Sequence, residues 1–367
     1  MGKYIMLGMD VHDATLVIKM AIGTQPPATR RVDNTPQGRR KLWAELHALA
    51  RSTGVERVVM AYEASCLGFG LCDEARDEGF VCHVLAPTKM ARSSAQRRRK
   101  SDEHDAQQIL EALRGHLLGG NELPDVWIPD LQTRQDREIV RARLDVAEKL
   151  TALKAQVQTL LKRHSARRPK ATGKGWTNSF EAWLRGLSGG HSPLPYGAQV
   201  ALATLMRQKE SLEEEILRLD AEVKALASQA RYACPASALT GTQGVGLLTA
   251  MVYLSEMGDL RRFYNRKQIG AFLGLAPSCQ ESGQVDDRKG HITHQGPWRV
   301  RRALCQAAWS RIRTDPVEKD AFERIAAKNP KHRKIAVVAL MRRLAVVLWH
   351  VGREAQQRAG CFGEAAA

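Results

Sequence analysis

A mixed α/β domain followed by two mainly helical segments is the fold class this sequence predicts. Three observations carry it. Apolar runs of strand length alternate with helix-period segments over the first 120 residues, two long apolar seams of helical period occupy the middle, and the last third is helix-rich and strongly basic.

Tyr4 to Val11 (YIMLGMDV) and Thr15 to Ile22 (TLVIKMAI) are apolar runs separated by His12, Asp13 and Ala14, which predicts a hairpin of two buried strands. A third short strand is expected near Arg30 to Val32. Thr35 offers a capping hydroxyl ahead of Pro36 at the first helical position, and Leu42, Trp43, Leu46, Leu49 and Ala50 follow at helical spacing. Val55 to Tyr62 reads as the next strand and ends at Glu63. A short helix is expected over Leu71 to Asp77 and a strand over Phe80 to Leu85. After a basic loop, Ser101 caps a helix that runs to about Leu118. The order β-β-β-α-β-α-β-α is that of the RNase H-like fold, and this domain is expected to span 1–120.

In the connector expected over 121–230, Val146, Leu150, Leu153, Val157 and Leu160 step by four and three, and Leu212, Ile216, Leu219, Val223 and Leu226 repeat the step. Seams of this period favour coiled-coil packing of helix on helix. Between them lies a Gly/Ser/Pro-rich insert carrying Lys162, Arg163, Arg167, Arg168, Lys170 and Lys174, read as the basic tip, free to move, of a helical hairpin. The third segment, 231–367, opens with Gly241-Thr-Gln-Gly-Val-Gly246 ahead of a helix. That turn resembles a helix-hairpin-helix, in which the amides of Gly244 and Gly246 would approach a phosphate; a tight turn between packed helices explains it equally well.

The chain carries 56 Lys and Arg against 39 Asp and Glu, a net charge of +17, which favours a polyanionic partner. Between 288 and 343 fifteen cations face four acids, so most of that excess sits in the last third. No run of about eighteen apolar residues predicts a membrane span, and the early aspartate argues against a secretory leader. The expectation is an intracellular, cytoplasmic protein with no membrane partner. Seven cysteines without a C-x-x-C pair point away from a zinc knuckle or a disulfide framework.

Four acids stand out. Asp10 interrupts an apolar strand, where a carboxylate is costly to bury unpaired. Glu63 has the same character at the end of VVMAYEAS. Asp102 and Asp105 lie three apart in KSDEHDA, on one face of the expected helix, although two acids in a first turn also commonly complement the helix dipole. In an RNase H-like layout the first strand is central, the fourth lies beside it, and the last helix crosses both ends, so the four carboxylates converge. Four together repel unless cations neutralise them, and two Mg²⁺ (or Mn²⁺) ions about 3.5–4 Å apart are the usual answer for phosphodiester chemistry. Arg97, Arg98, Arg99 and Lys100 directly precede the acidic helix, where they would hold a nucleic-acid backbone or form a solvated loop.

GMDVH, YEAS and KSDEHDA, in that order and spacing, resemble the DEDD motif of the IS110 family of insertion-sequence transposases, which includes the Piv-type DNA invertases. GTQGVGLLTA, IGAFLGLAPS and SGQVDDRKGHITHQGPWRVRRALCQAAW resemble that family's second conserved domain, so the likeness spans nearly the whole chain. KSDEHDA departs from the KTD-type start of many relatives. The resemblance implies a RuvC-like catalytic domain, a coiled-coil connector and a C-terminal transposase domain whose serine, here Ser282, forms a transient covalent link to DNA. It also implies guidance by an element-encoded bridge RNA; nothing in the chain resembles a homeodomain, a zinc finger or a recognition helix. Arg288, Lys289, Arg299, Arg301 and Arg302 are the basic residues of this segment expected to meet nucleic acid. A homodimer or homotetramer is expected, since recombination needs more than one active site.

His12 and His104 flank the acids and are read as filling a polar shell, not as catalytic groups. Trp298 and Trp309 are read as core, and Cys279, beside Ser282, as structural. Two further function classes compete with the recombinase: a RuvC-type junction-resolving nuclease, which needs no serine, and a basic architectural protein without chemistry, which leaves the acidic set unexplained.

Overall fold

The computed structural model describes residues 4–90, 101–189, 192–279, 289–328 and 330–362. It divides into two compact units, 1–128 and 129–367. Arg97 to Lys100, Ser282 and Arg288 lie outside the described residues, as do the side chains of Cys279 and Lys289.

Unit 1 is a five-stranded sheet between helices. The strands are β1 (Tyr4–Val11), β2 (Thr15–Ile22), β3 (Ala28–Asp33), β4 (Arg57–Glu63) and β5 (Val81–Leu85), in spatial order β3-β2-β1-β4-β5. The first three form an antiparallel meander, and β4 and β5 run parallel to β1. Their helices are α1 (Pro36–Thr53), α2 (Gly70–Asp77) and α3 (Asp102–Gly119). Thr35 caps α1, accepting a hydrogen bond from the Gly38 amide at 3.1 Å, and Ser101 caps α3, accepting from the His104 amide at 3.3 Å.

Because strand side chains alternate faces, β1 divides its residues between two cores. Ile5, Leu7 and Met9 pack with Leu42, Trp43 and Leu46 of α1 and with Cys72 and Ala75 of α2. Met6 packs with Val59 and Ala61 of β4 and with Ile109, Leu110 and Leu113 of α3. Gly8 lies on this second face. A Cβ there would sit 2.3 Å from the Ala106 carbonyl oxygen and the Leu110 nitrogen, so only glycine lets α3 lie this close to the strand.

Unit 2 is mostly helical. It comprises α4 (Leu131–Arg163), α5 (Asn178–Leu187), α6 (Tyr196–Ala227), α7 (Ala230–Thr240), α8 (Leu247–Met257), α9 (Arg266–Phe272), α10 (Trp298–Thr314), α11 (Pro316–Lys328) and α12 (Lys334–Arg358). A two-stranded antiparallel ribbon joins β6 (Pro277–Cys279) to β7 (Lys289–Ile292). The pairs Arg143–Asp220 and Lys154–Glu213 step in opposite directions along α4 and α6, so these helices are antiparallel.

The hairpin has two separate cores. Near its base Val140, Val223 and Leu226 join the large core of the C-terminal helices. At its far end Leu153, Val157 and Leu160 pack with Phe180, Leu184 and Leu187 of α5 and Leu202 of α6. The insert expected as a free tip is thus folded onto the hairpin. Arg168 explains part of it: its guanidinium covers the Phe180 ring at 3.9 Å and donates to Thr172.

α12 is long and apolar enough, by length and composition, to cross a membrane. Its buried residues Val337, Leu340, Met341, Leu344, Leu348 and Trp349 instead line the large core, and Trp349 donates its indole N–H to the Leu260 carbonyl. The reading of Trp298 and Trp309 as core is corrected: they are 42% and 49% exposed. Val300 and Leu304 point inward on α10, which turns 298 and 309 toward its solvent side.

Below this core Asp136 of α4 is almost fully buried and accepts the Tyr232 hydroxyl at 2.7 Å and the Gln132 amide at 2.7 Å. Burial, with the Asp136 carboxylate alongside, raises the Tyr232 phenol well above its ordinary range. Tyr232→Phe is expected to lower stability by about 1–3 kcal/mol, since it leaves a buried carboxylate short of a donor. A shift of the urea midpoint measures it; an unchanged midpoint would show that Gln132 alone satisfies Asp136.

Candidate metal centre and nucleic-acid interface

Asp10 is the last residue but one of β1, and His12 follows two residues on, which turns both to the same side. Tyr62 of β4 pairs with Met9, so Glu63, one step further, stands level with Asp10 on the adjacent strand and on the same face. Neighbouring strands lie about 4.8 Å apart. Asp102 and Asp105 occupy the first turn of α3, which Gly8 admits onto that face.

The side chains meet around Asp10. His12 Nε2 lies 3.1 Å from Asp10 Oδ2 and 3.5 Å from Asp102 Oδ1. Asp10, His12 and Asp102 each offer one ligand atom, all within 4.8 Å of one another. Desolvation raises the Asp10 carboxyl above its ordinary value, His12 opposes the rise, and the charges of Asp105 and Asp102 add to it. Glu103, between them in sequence, faces away. It pairs with Lys19 at 3.2 Å and Arg31 at 3.5 Å, and Lys19 holds its carboxyl below the usual range.

The structure therefore brings Asp10 and Asp102 within reach of a common ion, sets Asp105 close enough to act on Asp10, and aligns Glu63 beside it. His12, read from the sequence as part of a polar shell, offers a ligand atom to the cluster, since an Asp-x-His step at a strand end places both side chains on one face.

The expected nucleic-acid contacts divide. Lys162, Arg163 and Arg167 are exposed. Arg299 pairs with Asp145 at 2.8 Å, Arg302 pairs with Glu148, and Arg301 donates to the carbonyls of Leu273, Gln295 and Gly296. All three are partnered within unit 2. Gly244 has φ +79°, and a Cβ on it would press against Arg311 and the Ala307 carbonyl of α10, so packing accounts for that glycine. A Cβ on Gly246 would meet open space.

Comparison with known proteins gives the class first. The profile of DEDD transposases of the IS110 type matches residues 7–166, the sheet and its acids, and a second profile, described as the transposase IS116/IS110/IS902 family, matches 236–323. Both are families of transposases, matched in chain order across the two units. The chain belongs to the IS110 family.

Among curated relatives, it is 29% identical to the putative transposase y4qE of Sinorhizobium fredii, over 82% of this chain and 77% of that protein. It is 25% identical to the uncharacterized 43.6 kDa protein of insertion element IS110 from Streptomyces coelicolor, over 95% and 94%. The transposase of element IS1533 from Leptospira borgpetersenii is 24% identical over 84% and 86%.

Proposed function

We propose that this chain cuts and rejoins DNA at the ends of its insertion sequence, using a divalent-metal centre on an RNase H-like, RuvC-like domain. The observation that carries the proposal is the crowding at Asp10. Asp10, His12 and Asp102 offer ligand atoms within 4.8 Å of one another, and a cation there would offset the cost that burial and the neighbouring aspartates place on ionised Asp10. The spatial order of the sheet and the alignment of Glu63 with Asp10 support the same reading.

The donor set fits a divalent ion. Asp10, Glu63, Asp102 and Asp105 would hold Mg²⁺ or Mn²⁺, in one or two sites, with His12 as a nitrogen donor beside them. When bound, the metal would polarise a phosphoryl oxygen and favour ionisation of an attacking hydroxyl. The chain's own part is to present the carboxylates pre-assembled. Gly8 keeps α3 against β1, and Lys19 draws Glu103 out of the cluster.

Ser282 is the proposed nucleophile. Its Oγ would bond to the scissile phosphorus as its proton leaves, the bond from phosphorus to the departing sugar oxygen would break, and that oxygen would take a proton. The strand then stays esterified to the serine until a second hydroxyl displaces it. We propose the division 1–120 catalytic, 121–230 connector and 231–367 transposase domain for these tasks. Two or four copies would act together, and a bridge RNA would supply target choice.

The test is trapping. Protein incubated with labelled element-end DNA and Mn²⁺ is expected to give a covalent adduct that Ser282→Ala abolishes and chelation prevents. Cleavage without any adduct would make the protein a RuvC-type nuclease, and an undiminished adduct in the variant would remove Ser282 from the chemistry.

A further inference from the structure

The cations partnered within unit 2 leave a smaller set without an acidic partner among the described residues. Between α9 and α12 lies a concavity of about 530 Å³, lined by Arg266, Lys267 and Gly270 from α9 and by Ala339, Arg342, Arg343, Val346 and Val347 from α12. The α12 residues recur at helical spacing, so they form one stripe. Arg343 is anchored, donating to the buried Glu318 at 2.7 Å. Arg266, Lys267 and Arg342 have no acidic partner among the described residues. Gly270 faces Arg342, whose Nε lies 3.4 Å from where a Cβ on that glycine would stand. Tyr264, two residues before α9, is 82% exposed.

We infer that this concavity binds an unstacked nucleotide of single-stranded DNA, of the kind strand exchange releases; the inference rests on the DNA-processing reading above. Three cations without an acidic partner among the described residues, set around the apolar side chains of Ala339, Val346 and Val347, match a phosphate joined to a base. Duplex DNA keeps its bases stacked inside, so it reaches the cations and leaves the floor formed by Ala339, Val346 and Val347 wet. No hydroxyl or amide side chain lines the concavity to single out a 2′-hydroxyl, so the proposed occupant is the DNA strand.

The experiment is fluorescence anisotropy of the full chain with labelled oligothymidylate, beside a mixed-sequence duplex and oligouridylate. Joint replacement Arg266→Ala, Lys267→Ala and Arg342→Ala is expected to weaken oligothymidylate binding by about tenfold or more. It is also expected to lower the salt slope, by about 0.7 for each phosphate whose neutralisation is lost. Duplex binding should change much less. Ala339→Trp keeps every charge and fills the floor, and should weaken the single strand alone. Unchanged oligothymidylate affinity in either variant, an equal loss for the duplex, or wild-type preference for oligouridylate would overturn the inference. A wild type that binds oligothymidylate through these residues yet never cuts element-end DNA would instead sink the recombinase reading and leave the groove standing.

Discussion

Asp10→Asn is expected to lower DNA strand cleavage by about three orders of magnitude, the loss that follows when several kcal/mol of metal-centred stabilisation disappear from the transition state. The same substitution should raise the melting temperature of the metal-free protein at neutral pH. In the folded chain the Asp10 carboxyl is raised above its ordinary 3.8 by burial, with Asp102 and Asp105 adding to the rise. A raised acid binds more protons folded than unfolded, so its contribution is favourable at low pH and is lost as pH climbs from the ordinary value through the folded one. Asparagine removes that loss. Scanning calorimetry with chelator, paired with a cleavage assay, reads both halves. A variant that is inactive and also less stable would mean that Asp10 is a structural residue, and the metal-centre account would go with it.

Gly8→Ala is the second large effect expected. The added methyl would sit 2.3 Å from two backbone atoms of α3, which no side-chain rotation relieves, so α3 must move off the sheet. Overpacking of this kind costs about 1–3 kcal/mol. The helix carries Asp102 and Asp105, so the displacement also opens the ligand cluster. Divalent-metal affinity, read by titration calorimetry, should fall more than tenfold, since roughly an ångström of misplacement is enough to spoil a preformed site. Wild-type metal affinity at reduced stability would show that the acids tolerate movement of the helix.

Much of unit 1 was legible from period and punctuation. Tyr4–Val11 and Thr15–Ile22 end where polar residues interrupt apolar runs, and Thr35-Pro36 and Ser101 mark helix starts, because those signals are local. Asp10 and Glu63 stood out because an acid in an apolar strand is expensive. What escaped depends on partners distant in sequence. The pairing of Arg299 and Arg302 of α10 with Asp145 and Glu148, more than 150 residues earlier, has no local signal. Trp298 and Trp309 looked buried because tryptophan usually is, whereas the helix phase set by Val300 and Leu304 turns them outward. The insert reads as loose because glycine, serine and proline punctuate it, yet Phe180, Leu184 and Leu187 are enough to anchor it.

The second apolar cluster at the far end of the α4–α6 hairpin makes that end a modular head. Among the described residues its apolar cluster draws on 153–212 and on none of the C-terminal helices. Substitution, lengthening or exchange of the segment between α4 and α6 can therefore proceed while the remainder of unit 2 keeps its packing. The segment can diverge in length and charge without disturbing the large core of the C-terminal helices.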